Sequence, residues 1–545
     1  MPKTKLLKYF IPIFLSLVMV SCSTKRKPKL ILQITVDQLR GDMIKKYKSN
    51  FHDDGFLYLL NNGTSFTNAH YIHAITKTAP GHATLATGST PSKHGIINNN
   101  WYSRKTHHLV YSCQDSASKI LDNLSSEIGR SPKNLIAETF SDKVHKQNPK
   151  SKIFGISTKD RGAIMLAGHF GKAFWYSKKT GGITTSQYYY NKYPKWVSDW
   201  NKNKLFNRYY KNGWNLIYNK DRYQNYDVDS NNYERTLPGL GHKFPHSFKN
   251  LSLPNFYKLL PYSPWGDRLT FEFAKSLIET QKLGIDENVD YLSISFSSTD
   301  YIGHLFGPNS LEYEDQIYNL DKTLSDLFKF IDKKIGLQNV LIVLSADHGV
   351  SESPEYLIQN GKKSGVVSAV DIRKRINEFG KKNLKLKNDL VEALIPPYIY
   401  LNESLIKKSN LSIKYVENAL LPVAEKSPGV YKAFAANKIL EDNFGSSDSI
   451  EAMVKNSYFA GRSGNLYIVN KPHWFFSYNP KTRENTATHG SPWAYDRFVP
   501  IIFAGHGIAH QTITKLVGPQ DIAPTLSKLI GIPAPSQSVG KPLFK

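Results

Sequence analysis

Short apolar runs rich in β-branched residues punctuate the chain at Ile31 to Val36, Ile153 to Ser157, Tyr291 to Phe296, Val340 to Leu344 and Val499 to Phe503, and each stops abruptly in polar residues. Runs this short, bounded this way, predict buried strands. Between them, helical periodicity is predicted over Leu269 to Gln281, Tyr313 to Lys334 and Ile522 to Leu529. Strands alternating with helices predict an α/β fold with a parallel, doubly wound sheet, which carries its chemistry at the C-terminal ends of its strands. Two long stretches break the alternation, about 171 to 262, crowded with Tyr, Trp, Asn and Lys, and about 353 to 480. Core strands come after each one, so both are expected to be insertions capping the sheet rather than separate domains.

The polar residues at the ends of these runs are chemically selective. Asp37 comes after the first, Lys159 and Arg161 after the second, Asp300 after the third, and Asp347 with His348 after the fourth; the fifth begins ten residues after His489. Taken singly, each has a structural alternative. Asp37 and Asp300 could be helix caps, and Asp347-His348-Gly349 could be a strand-end turn. Asp300 and His304, four apart, would share one face of a helical turn and suit one metal ion. Gly349 would permit close backbone approach.

Composition narrows the classes further. With 545 residues, 40% hydrophobic and 12% aromatic, the chain can bury a large core. Lys3, Lys5 and Lys8 precede the apolar run Tyr9 to Val20, too short to span a bilayer, so residues 1–22 are expected to be an export signal. Met19-Val20-Ser21-Cys22 also resembles a lipoprotein box, which would lipidate Cys22 and leave 23–29 as a tether; simple cleavage is the alternative. Either way a periplasmic or outer-membrane protein is expected. Only Cys113 then remains, so no internal disulfide is available, and no base or helix start nearby suggests a reactive thiol. The net charge of +26 would attract anions. Its lysines are scattered rather than gathered with aromatics, so no specific nucleic-acid partner is expected; small phosphorylated substrates and a monomeric state are.

Considered jointly, Asp37, Asp300, His304, Asp347, His348 and His489 resemble, in order, the metal ligands of the alkaline phosphatase superfamily. Thr76-Lys77-Thr78-Ala79-Pro80-Gly81-His82 resembles its nucleophile segment, and Asn99, 21 residues on, its phosphate-binding asparagine. Lys159-Asp160-Arg161 and Asp300-Tyr301-Ile302-Gly303-His304 resemble the narrower PafA-like alkaline phosphatases. Two positions depart from the pattern: Asn98 stands where a glycine is usual, and Lys77 immediately precedes the nucleophile.

The resemblance implies a three-layer sandwich over 30–545 with a mostly parallel sheet and two cap-like insertions. It also implies two zinc ions, one held by Asp300, His304 and His489, the other by Asp37, Asp347, His348 and the Thr78 oxygen. Three aspartates and a Thr78 alkoxide would neutralise two divalent ions, leaving Lys159 and Arg161 to match a monoester dianion. Asn99 and the Ala79 backbone N–H would donate to the phosphoryl oxygens. The expected activity is phosphate monoester hydrolysis through a phosphothreonine. The alternatives are a phosphodiesterase or nucleotide pyrophosphatase on the same site, or a non-catalytic, anion-binding surface lipoprotein. A sulfatase is disfavoured, since Thr78-Ala79-Pro80-Gly81 lacks the Cys or Ser that such enzymes oxidise. His82, His94 and His169 are assigned to structure or to support of the ligands.

Overall fold

A computed structural model describes residues 26–122, 128–229, 231–446, 448–480, 483 and 485–544. The expected signal and Cys22 lie outside these residues. The core is a nine-stranded sheet. In chain order its strands are β1 (Leu30–Val36), β2 (Thr64–Phe66), β3 (Ile153–Ser157), β4 (Lys172–Tyr176), β5 (Ile183–Thr184), β6 (Asp290–Phe296), β7 (Val340–Ser345), β8 (Ile501–Gly505) and β9 (Gln511–Ile513). Across the sheet the order is β9-β2-β8-β7-β1-β6-β3-β4-β5.

β1 is central, parallel to β6 and β7 and buried along its whole length. Its two faces explain the layers. Leu30, Leu32 and Ile34 join a core shared with Leu269 of helix α3 (Trp265–Gln281) and with Leu324 of α5 (Leu311–Lys334). Ile31, with Leu341 and Val343 of β7, packs on the other side against Leu85 of α1 (Thr78–Thr87) and Leu526 of α6 (Ile522–Leu529). Burying each such aliphatic side chain stabilises the fold by about 1.5–3 kcal/mol. Two shorter helices complete the catalytic end, α2 (Asp160–Ala167) after β3 and α4 (Ser298–Leu305) after β6.

Two features differ from the expectation. β4, β3, β6, β1 and β7 are mutually parallel, but β8 runs antiparallel to β7. A reversed strand presents its N-terminal side at the catalytic edge, which is why His489 precedes β8 when the other candidates come after their strands. The stretch from residue 171 also begins inside the sheet, because β4 and β5 extend it past β3. Aromatic residues in Lys-Ala-Phe-Trp-Tyr fit a half-buried pleated surface as well as they fit a cap. Within 353–480, Val391–Ile395, Tyr398–Leu401, Leu466–Asn470 and Val430–Ala435 form a separate four-stranded sheet with its own apolar core. The turn at Pro396 leans on the catalytic edge, its carbonyl accepting hydrogen bonds from Lys77 Nζ (3.1 Å) and Asn98 Nδ2 (3.0 Å).

Candidate active site and metal centre

The paired strand ends bring the chemistry together. Asp37 leaves β1 with its N–H bonded to Phe296 O at 2.9 Å, one residue short of α4 and its Asp300. Asp347 and His348 leave β7 beside it. On α4 the four-residue spacing puts His304 Nε2 3.2 Å from Asp300 Oδ1, and His489 Nε2 is 3.5 Å from the same oxygen. His348 Nε2 is 3.5 Å from Asp37 Oδ1 and 3.4 Å from Asp347 Oδ2. Ligand atoms of Asp300, His304 and His489 lie within 4.8 Å of one another, as do those of Asp37, Asp300 and His348, so Asp300 stands between two groups.

The histidine tautomers are fixed by their outer partners. Nδ1 of His304 faces Ala487 O at 2.8 Å, that of His489 faces Thr76 O at 2.7 Å, and that of His348 faces Gly349 O at 3.0 Å. A carbonyl oxygen only accepts, so each Nδ1 carries the proton and each Nε2 presents a lone pair inward. Burial lowers the basicity of His348, to about 3, and of His489, which keeps both imidazoles neutral. His348 Nε2 and Asp37 Oδ1 are buried, and neither meets a hydrogen-bond donor among the described residues. Lone pairs facing each other in a buried site are costly unless a cation lies between them. Mixed imidazole and carboxylate donors of this kind fit divalent metal ions.

Thr78 opens α1 and is 1% exposed. Its Oγ1 is 3.4 Å from Arg161 Nη2. Gly81 sets the approach of this helix to β7, since a Cβ there would lie 2.2 Å from Asp347 O. Gly81→Ala is therefore expected to cost about 1–3 kcal/mol by overpacking and, by misplacing Thr78, about 10²-fold in kcat/KM. Thermal melts and steady-state assays of the variant check both; an active, fully stable variant contradicts the close fit.

Two residues expected at the phosphoryl group have partners within the protein. Lys159, 3% exposed, places Nζ 2.6 Å from Asp37 Oδ2 and also contacts Asp300 Oδ2. Burial disfavours its charge, but Asp300 and Asp37 outweigh this and hold the ammonium well above the usual lysine range. Lys159 thus reaches the candidate ligands Asp37 and Asp300, and Arg161 reaches Thr78. Burial, with the charges of Asp300 and Asp347, pushes Asp37 well above the usual carboxylate range despite Lys159. The Ala79 N–H is also engaged, donating to Asn99 Oδ1 at 2.9 Å. That bond fixes the Asn99 side chain and leaves its amide NH₂ as the donor end.

Several supporting residues carried no sequence signal. Gln38, at φ 68°, donates from Nε2 to Asp300 Oδ1 (2.9 Å) and from its backbone N–H to Asp347 Oδ1 (3.1 Å). Its side chain passes so close to α4 that a Cβ on Gly303 would meet Gln38 Oε1 at 1.8 Å. The Tyr111 hydroxyl donates to Asp160 and accepts from Arg161 Nη1 (3.3 Å), while Arg130 Nε donates to Asp160 Oδ2 at 2.5 Å. Of the histidines set aside, His82 lies beside Asp347, its Nδ1 donating to Thr78 O (2.8 Å); His94 accepts from Ile96 N–H, and His169 bonds Asp142. Cys113 is buried, which raises its thiol pKa and makes it unreactive.

A profile of the type I phosphodiesterase / nucleotide pyrophosphatase family matches residues 31–492. The alkaline phosphatase PafA of Elizabethkingia meningoseptica is 34% identical over 525 residues, covering 95% of this chain and 94% of the relative. A crystal structure of wild-type alkaline phosphatase PafA superposes with a TM-score of 0.88 at 33% identity, over 95% of this chain and 98% of that one. The chain belongs to the PafA-like alkaline phosphatases. A Myroides odoratus relative, 35% identical over 97% of this chain and 96% of its own length, carries the name calcium-transporting ATPase. Among the described residues of this PafA-like chain no helix is long and apolar enough to cross a membrane.

Proposed function

We propose that the protein is an exported, zinc-dependent phosphatase that hydrolyses phosphate monoesters through a phosphothreonine at Thr78. One observation carries the reading: a buried threonine hydroxyl faces a guanidinium beside three inward imidazole lone pairs and three carboxylates. Asp300, His304 and His489 would hold one ion, and Asp37, Asp347 and His348, with Thr78, the other. Bound there, zinc would supply charge stabilisation for the attacking and leaving oxygens.

The chain's own residues do the rest. Arg161 Nη2 and the Asn99 amide hold non-bridging oxygens so that phosphorus lies in line with Thr78 Oγ1. The Thr78 O–P bond forms as the ester P–O bond breaks and the alcohol leaves. Water then attacks phosphorus from the vacated side, releasing inorganic phosphate and restoring the hydroxyl. Lys159 holds Asp37 and Asp300 in place, and Gln38 couples Asp300 to Asp347. Export rests on the basic and apolar pattern of residues 1–22; lipidation at Cys22 would anchor the enzyme.

The match of residues 31–492 to a family described as type I phosphodiesterase / nucleotide pyrophosphatase favours a second reading, a phosphodiesterase on the same site. Comparing kcat/KM for p-nitrophenyl phosphate and bis-p-nitrophenyl phosphate decides, with faster diester cleavage overturning the proposal. Arg161→Ala is expected to lower monoester turnover by about 10²-fold and diester turnover by about tenfold or less, because the dianion leans harder on the guanidinium. Equal losses would show that Arg161 does not read charge.

A further inference from the structure

Beside the proposed phosphoryl position lies a cleft of about 270 Å³. Asn99 and His489 line one part of it, and Trp474, Phe476 and Tyr478 of the second insertion line another. Lys77 and Asp496 are among the other lining residues. The Lys77 stem packs on Gly490, where a Cβ would lie 3.0 Å from Lys77 Cε, and its ammonium has a single hydrogen-bond partner among the described residues, the neutral Pro396 carbonyl. An ammonium has three N–H donors and ordinarily seeks an anion when partly enclosed. Among the described residues no carboxylate pairs with that of Lys77.

Accepting that Thr78 attacks a phosphate monoester, we infer that this cleft selects esters whose alcohol carries both a flat ring and a second anionic group. The ring would lie against the aromatic wall, and the anion would take the free N–H groups of Lys77. The cleft, about 270 Å³ and open to solvent, has room for a single substituted ring.

The test compares 3-carboxyphenyl phosphate with its neutral isostere, 3-carbamoylphenyl phosphate. The wild-type enzyme should favour the carboxylate in kcat/KM by about tenfold, the size of one charge-assisted hydrogen bond. Lys77→Met should bring the ratio close to one, and Lys77→Arg should preserve most of it; a ratio is insensitive to any general loss of activity. No preference in the wild type, or a preference untouched in Lys77→Met, would overturn the inference while leaving the phosphatase reading intact. Hydrolysis of neither ester would overturn both.

Discussion

Replacing Thr78 with alanine should lower kcat/KM for p-nitrophenyl phosphate by at least about 10⁴-fold, the scale seen when an enzyme loses its nucleophile. The stability change should be small by comparison. Thr78 sits at the first position of α1, where its hydroxyl has one long contact with Arg161 and no capping role. Removing it costs about 1 kcal/mol, typical of a single side-chain deletion. Thr78→Ser keeps the oxygen and should recover most of the rate. Acid quenching with ³²P-labelled substrate should trap label on the wild type and none on Thr78→Ala. A threonine-free enzyme with near-normal turnover would mean that water attacks the ester directly, and the phosphothreonine would have to be abandoned.

The second large effect is loss of metal. Three Nε2 lone pairs and the carboxylates of Asp37, Asp300 and Asp347 are gathered into one buried region with Lys159 as the cation among them. Lys159 and Arg161 together cannot balance three carboxylates, so the site calls for added positive charge. Dialysis against a strong chelator should reduce activity by more than about 10³-fold, with zinc restoring it. The same treatment should lower Tm, because a ligand bound only to the folded state stabilises that state. Asp300→Asn should lose the ion held with His304 and His489, because Asp300 supplies the carboxylate of that group. Full activity and an unchanged Tm after chelation would contradict a metal-dependent mechanism.

The sheet was legible because a strand buried on both faces cannot disguise itself among polar neighbours. Four of the strands expected from apolar runs appear within a residue or so of their expected limits, and the fifth is displaced by two, to Ile501–Gly505. The candidate ligands were legible for a related reason. A carboxylate or imidazole at the end of a buried strand is expensive unless it has a partner, so its appearance after β1, β6 and β7 is informative. Direction was not legible, because an apolar run reads the same forwards and backwards. That is why the reversal of β8, and with it the placing of His489 before its strand, came only from the structure.

The features that stayed hidden depend on contacts between distant segments. Nothing in Gln38 distinguishes it from an ordinary loop residue; its importance lies in a left-handed backbone and a gap at Gly303 that exist only once α4 packs on β1. Tyr111 and Arg130 reach Asp160 from a part of the chain with no strand or helix signal of its own. The orientation of Lys159 was equally inaccessible, since a Lys-x-Arg spacing says which residues share a loop but not whether an ammonium faces carboxylates or the cleft.

Anomalous diffraction from crystals of the purified enzyme, recorded above and below the zinc absorption edge, tests the central claim most directly. Two edge-dependent peaks are predicted, one contacted by Asp300, His304 and His489 and the other by Asp37, Asp347 and His348, with Thr78 Oγ1 next to the second. No peak at these residues, or a single peak away from Thr78, would contradict the account.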